Sequence, residues 1–97
     1  MTKTGKLKGK NAVITGGAGG IGSRIADMFL KEGAAVTVLD SNSKLLAEYR
    51  SSRGGTHKGR LLCLKADIAN LSSVKKAFKA ATSRFGPVDI LVNTAAK

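Results

Sequence analysis

The sequence predicts an α/β protein, a parallel sheet with flanking helices in the order βαβαβαβ. Three observations predict it. Short apolar runs alternate with segments of helical periodicity along the chain. A glycine cluster follows the first run and opens the first helix. Asp40, Asp67 and Asn93 then stand where the later runs end. Strands separated by helices form parallel sheets with right-handed crossovers, and such sheets collect their ligands at the C-terminal strand ends.

The first strand is read at residues 12–15, Ala-Val-Ile-Thr, running into Gly16-Gly17-Ala18-Gly19-Gly20-Ile21-Gly22. A helix of about three turns follows, with Ile21, Ile25, Met28 and Phe29 as its inward set and Gly33 closing it. Residues 35–39 are apolar and β-branched and stop at Asp40, which gives a second buried strand with a carboxylate at its end. Ser43 is the expected cap of a shorter helix with Leu45, Leu46 and Tyr49 inward, ahead of a hydrophilic loop at residues 51–59. Residues 61–64 form the third strand, near Asp67. Val74, Ala77, Phe78, Ala81 and Phe85 then mark an amphipathic helix that Gly86-Pro87 ends. Residues 88–92 form the fourth strand, leading into Asn93-Thr94-Ala95-Ala96.

A chain of 97 residues with 42% hydrophobic content supports one domain with a packed core. Its single cysteine, Cys63, excludes an intrachain disulfide and a thiolate zinc cage, and fits a reducing, cytoplasmic setting. The apolar runs, such as those at 34–36, 61–64 and 90–92, fall far short of the ~20 residues of a membrane helix, so no membrane partner is expected. Seventeen Lys and Arg against six Asp and Glu give a net charge of +11. That excess is scattered: Lys3, Lys6, Lys8 and Lys10 lie at the start, Arg50, Arg53, Lys58 and Arg60 in the middle, and Lys75, Lys76 and Lys79 on the last helix. With three Phe and one Tyr, it lacks the interleaved aromatics of a stacking surface and reads as solvated surface, with no specific nucleic-acid partner.

The chemistry lies in the glycine cluster. Gly17, Gly19 and Gly22 satisfy G-x-G-x-x-G, while Thr15, Gly16, Gly20 and Gly22 satisfy Thr-Gly-x-x-x-Gly-x-Gly; either register serves the same end. Missing side chains let the chain turn sharply, approach a pyrophosphate and pack the helix close to the sheet, with N–H groups and the helix dipole facing the anion. Glycines alone would equally make a flexible turn. The strand before, the helix after, and Asp40 at the expected distance of about 20 residues favour a dinucleotide loop of the Rossmann type. Asp40 can accept hydrogen bonds from both hydroxyls of an adenosine ribose and would repel a 2′-phosphate, which selects NAD over NADP. Asp67 reads either as a loop carboxylate or helix cap, or as an adenine contact beside the same crevice. Arg24 reads as helix surface or as a counter-charge to a phosphate.

On these residues the chain resembles the N-terminal half of a short-chain dehydrogenase/reductase. Thr15 through Gly22, with Ile21 inside the loop, matches that family's cofactor loop. Asp40 matches its NAD-selecting acid, Ala66-Asp67-Ile68 its adenine-side acid, and Asp89-Ile90-Leu91-Val92-Asn93 its fourth strand. Where the family continues Asn-Asn-Ala-Gly, this chain has Asn93-Thr94-Ala95-Ala96. An NAD-type acid with this opening is similar to the 15-hydroxyprostaglandin dehydrogenase-like and insect alcohol dehydrogenase-like branches. The lysines at the start mark a basic N-terminal segment over residues 1–11, and the resemblance implies a partial NAD-binding domain over 12–97. It also implies cofactor contacts from Thr15, Gly16, Gly20, Ile21, Gly22, Asp40, Asp67 and Asn93.

The family's catalytic serine and Tyr-x-x-x-Lys pair lie beyond the fourth strand, and the single tyrosine here, Tyr49, is followed four positions on by Arg53. Three readings stay open. The chain is the NAD-binding portion of an oxidoreductase that moves a hydride between an alcohol or ketone and nicotinamide. Alternatively it is a non-catalytic nucleotide-binding module, or a basic interaction protein on the same scaffold. In each, the fourth strand forms a sheet edge open to self-association.

Overall fold

The computed structural model describes residues 5–53, 57 and 59–94. Lys3, Gly54-Gly55-Thr56, Lys58 and Ala95-Ala96, all singled out above, lie outside the described residues. Four strands and three helices alternate: β1 (Asn11–Thr15), α1 (Gly20–Lys31), β2 (Ala35–Asp40), α2 (Ser43–Arg53), β3 (Leu61–Lys65), α3 (Leu71–Phe85) and β4 (Ile90–Asn93). All strand pairs are parallel and the order is β3-β2-β1-β4, the predicted α/β architecture. Register places Thr15 beside Leu39 on one side and Asn93 on the other, so the three strand ends finish level.

β1 is buried along its whole length because it has a neighbour on each edge and helices on each face. Ala12 and Ile14 join Val36, Val38 and Cys63 in a core under α1 and α2. Val13 and Leu39 point the other way, onto Ala77 and Ala81 of α3. This alternation is the two-residue period of a strand buried on both faces.

Several expectations change at the element ends. β1 opens at Asn11, one residue early, because Asn11 is pinned at the far edge: its N–H donates to Asp89 Oδ2 at 2.9 Å and its Nδ2 to the Gly86 carbonyl at 2.7 Å. The basic segment is not wholly apart from the domain, since Leu7 packs on the core and its N–H donates to the Glu32 carbonyl. α1 begins at Gly20, and its buried face is Gly22, Ala26 and Leu30. Ile25 and Phe29 are partly buried, but Ile21 and Met28, expected inward, are 72% and 62% exposed. The glycine turn causes this: Gly22 must face the turn, and Ile21, about 100° away around the helix, then faces out.

Gly33, at φ +93°, ends α1 as expected, and Arg60 donates to the Leu30 and Ala34 carbonyls just there. Asn42, not Ser43, caps α2, accepting the Leu45 N–H at 3.0 Å. α2 runs through residues 51–53, expected as loop, and its buried residues are Leu46 and Tyr49. Asn70 caps α3 by accepting the Ser73 N–H. β4 starts at Ile90, two residues later than expected, because Asp89 N–H is turned to the Asn11 carbonyl and Val88 packs into the α3 core.

Candidate functional site

At the C-terminal edge of the sheet the chain leaves β1 through Gly16, whose φ of +71° lies in the left-handed region that glycine adopts without strain. The N–H groups of Gly16 and Gly17 both donate to the Leu39 carbonyl, at 2.7 and 3.2 Å, which lays the turn over the end of β2. α1 then starts so close to the turn that a Cβ on Gly22 would sit 2.2 Å from the Gly16 carbonyl oxygen. Gly20 is the opposite case. A Cβ there would meet nothing within 4 Å, so the space above the helix start is open.

The start of α1 carries no group that would repel or displace an anion. Gly19 supplies no side-chain cap, the first turn holds no acidic residue, and helix starts present unpaired N–H groups and partial positive charge. Beside it lies a cleft of about 380 Å³ whose lining includes Gly16, Gly19, Asp40, Asp67, Ile68 and Thr94. The structure thus gathers Gly16, Asp40 and Asp67 in one cleft. Thr15 and Asn93 line an adjoining hollow of about 260 Å³, which shares Ile68 with the cleft. Gly20 and Gly22 sit at the helix start, and Ile21 offers its side chain to solvent. Arg24 is also on the helix surface.

Asp40 is held at both oxygens: Oδ2 accepts the Ala18 N–H at 3.2 Å and Oδ1 the Asn42 N–H at 3.0 Å. Asp67 is a loop carboxylate, while the cap of α3 is Asn70. Asp67 lines the cleft and also organises the turn into α3, with Oδ1 accepting the Ala69 N–H at 2.9 Å. Thr15 Oγ1 donates to Asn93 Oδ1 at 2.7 Å, tying the first strand to the fourth. Thr94, where the family pattern has Asn, adds a second tie. Its hydroxyl donates to the Thr15 carbonyl at 2.7 Å and lies 3.3 Å from the Gly16 carbonyl. The sequence placed Ala18 and Gly19 within the cofactor loop without assigning either a contact, and left Ser41 and Thr94 off the site. Ala18 and Ser41 act through position alone and leave no residue-type signal. Thr94 carried one, a hydroxyl directly after a strand end.

Tyr49 lies outside the cleft, in a separate hollow that it shares with Ala18 and Ser23. Its hydroxyl donates to Asp27 Oδ1 at 3.0 Å, and the Arg53 guanidinium lies 4.0 Å from its ring centre while also pairing with Asp27. Burial and the bond to Asp27 push the phenol well above its usual range, which keeps it protonated at neutral pH. At Asp27 burial raises the carboxyl, but the bonds from Arg53 and Tyr49 outweigh it and hold the group below the usual range. Cys63 is buried, and burial raises its thiol. None of the described helices is long and apolar enough to cross a membrane.

Comparison with known proteins agrees with this geometry. A family model for short chain dehydrogenase matches residues 10–97. The chain is 41% identical over 95 residues to the short chain dehydrogenase/reductase dpmpG of Macrophomina phaseolina, covering 98% of this chain and 54% of that one. Among solved structures, a glucose/ribitol dehydrogenase from Brucella melitensis superposes with a TM-score of 0.80 at 30% identity, over 92% of this chain and 37% of that one. The C-domain of a bacterial malonyl-CoA reductase, solved with NADP, superposes at 0.85 and 31% identity, over 96% of this chain and 16% of that one. The chain spans 13% to 54% of the length of the curated relatives it matches. With its parallel sheet, its glycine turn over β2 and a family match along nearly its whole length, the chain belongs to the short-chain dehydrogenase family.

Proposed function

We propose that the chain is the NAD-binding portion of an oxidoreductase that moves a hydride between a small alcohol or ketone and nicotinamide, working in the cytoplasm. The observation that carries the choice of NAD is Asp40, a carboxylate anchored at the end of β2 beside the glycine turn and inside the cleft. An adenosine ribose offers it hydroxyl donors, whereas a 2′-phosphate would bring a second negative charge against it. The start of α1 would hold the pyrophosphate through backbone N–H groups, with the open space at Gly20 admitting it. Asp67 would face the adenine, and Thr15 and Asn93 would stand on the nicotinamide side. When bound, the cofactor supplies the hydride acceptor or donor.

Proton transfer to the substrate oxygen is a separate requirement, and Tyr49 does not meet it: its hydroxyl is committed to Asp27 on α1. This favours a division of labour, with the described residues binding the nucleotide and other groups handling the proton. That a structural relative binds NADP makes cofactor choice the decisive measurement. Titrating NAD and NADP into one preparation at fixed salt should give at least about tenfold tighter binding of NAD, a difference of about 1.4 kcal/mol. Equal affinities, or a preference for NADP, would sink the assignment.

A further inference from the structure

We propose that Asp40 is also a positioning residue: from the end of β2 it holds the Ala18 N–H and so fixes the glycine turn that shapes the phosphate site. The inference rests on the nucleotide reading above and adds to it a second task for the same carboxylate. Three successive amides of the turn are held by the last two residues of β2. Gly16 and Gly17 donate to the Leu39 carbonyl and Ala18 donates to Asp40 Oδ2, while Gly19 donates back to the Gly16 carbonyl at 3.2 Å. The amides of residues 16–19 are therefore engaged inside the protein, whereas the N–H groups of Gly20, Ile21 and Gly22 bond to no backbone carbonyl among the described residues. Of these four contacts only the one at Ala18 comes from a side chain. A glycine-rich turn has little conformational preference of its own, so a contact in its middle decides its shape. The Asn42 N–H fixes the other oxygen, so the carboxylate cannot swing aside, and its exclusion of a 2′-phosphate rests on the same anchoring.

The test separates the turn from the ribose. An NAD analogue whose adenosine ribose lacks both hydroxyls cannot bond to Asp40, so its affinity reports on the turn alone. Removing a negative charge beside an anion should by itself strengthen binding, so a loss carries a sign opposite to the electrostatic effect. Asp40→Ala is expected to weaken the analogue about tenfold and to speed Ala18 amide exchange in the free protein about tenfold, the size of one hydrogen bond to a charged group. Asp40→Asn offers one carbonyl oxygen to two N–H donors, so it should release either the Ala18 or the Asn42 amide and keep the other protected. Unchanged analogue binding and unchanged Ala18 exchange in a folded Asp40→Ala would leave Asp40 a ribose contact only and overturn the proposal. If Asp40→Ala does not fold, Asp40→Asn decides: faster exchange at Ala18 or at Asn42 supports the proposal, and unchanged exchange at both overturns it. Failure of the parent protein to bind NAD would remove the nucleotide reading, and Ala18 exchange would still decide whether Asp40 holds the turn.

Discussion

Two glycines of the turn differ in what surrounds them, and the difference separates binding from folding at single-residue scale. A side chain at Gly20 meets open space, so Gly20→Val should leave the fold intact while filling the approach of the pyrophosphate. A side chain at Gly22 meets the backbone of Gly16 and Gly17, which cannot yield cheaply. Gly22→Ala should therefore cost about 1–3 kcal/mol of stability, as overpacking in a close contact does. Urea denaturation and NAD titration of both variants check this, and Gly20→Val with undiminished affinity would refute the placement of the phosphate. Asp27 gives a pH prediction. Its folded-state carboxyl lies below its unfolded value, so its contribution is present above about pH 3.9 and is lost as pH falls through the folded value. The stability gap between the parent and Asp27→Asn should be open at neutral pH and close in acid. A gap independent of pH would show that the Arg53 pairing contributes nothing; a small effect is expected because the pair is partly solvated.

Among the described residues β3 and β4 are the two edge strands, and β4 is the less embedded: it holds no buried residue, and its residues alternate between half-buried and exposed. Its C-terminal end is tied to β1 by the Thr15–Asn93 bond and by the Thr94 hydroxyl, and its N-terminal end by the Asn11–Asp89 pair. Thr94→Val preserves shape and removes the hydroxyl, so it should cost about 1 kcal/mol and loosen that end of the strand. Amide exchange at residues 92–94 is the measurement, with Thr94→Ser expected to restore protection. Equal exchange in the valine variant would mean that the backbone bond from Thr94 N–H to Thr15 suffices.

For the molecule as a whole, charge and surface oppose each other. Among the described residues the outer edge of β4 has no partner strand, and there Leu91, 56% exposed, borders the hollow formed with Val74 and Phe78 of α3; Leu71 is also exposed. Unpaired strand edges beside apolar side chains promote association. A net charge of +11 resists it, but only over a range that salt shortens to about 8 Å at physiological ionic strength. The 97-residue chain should therefore associate increasingly as salt rises. Sedimentation across a salt series, with circular dichroism to follow folding, checks this; a folded monomer at every salt concentration would show that the edge is sufficiently protected.

Strand and helix order, the sheet class and the position of the glycine turn were legible in the sequence because each is local. A buried parallel strand announces itself as an apolar run, a helix by its period, and a phosphate turn by glycines between the two. Which stripe of α1 faces inward was not legible. Ile21 and Met28 satisfy the period as well as Ala26 does, and the contact between Gly22 and Gly16 across the turn selects the buried face. The caps at Asn42 and Asn70 and the extension of α2 to Arg53 depended in the same way on partners that the fold supplies. Asp40 shows the division within one residue. Its acidity and its place after a strand were readable, whereas its grip on Ala18, 22 positions back, required the sheet to bring the two together.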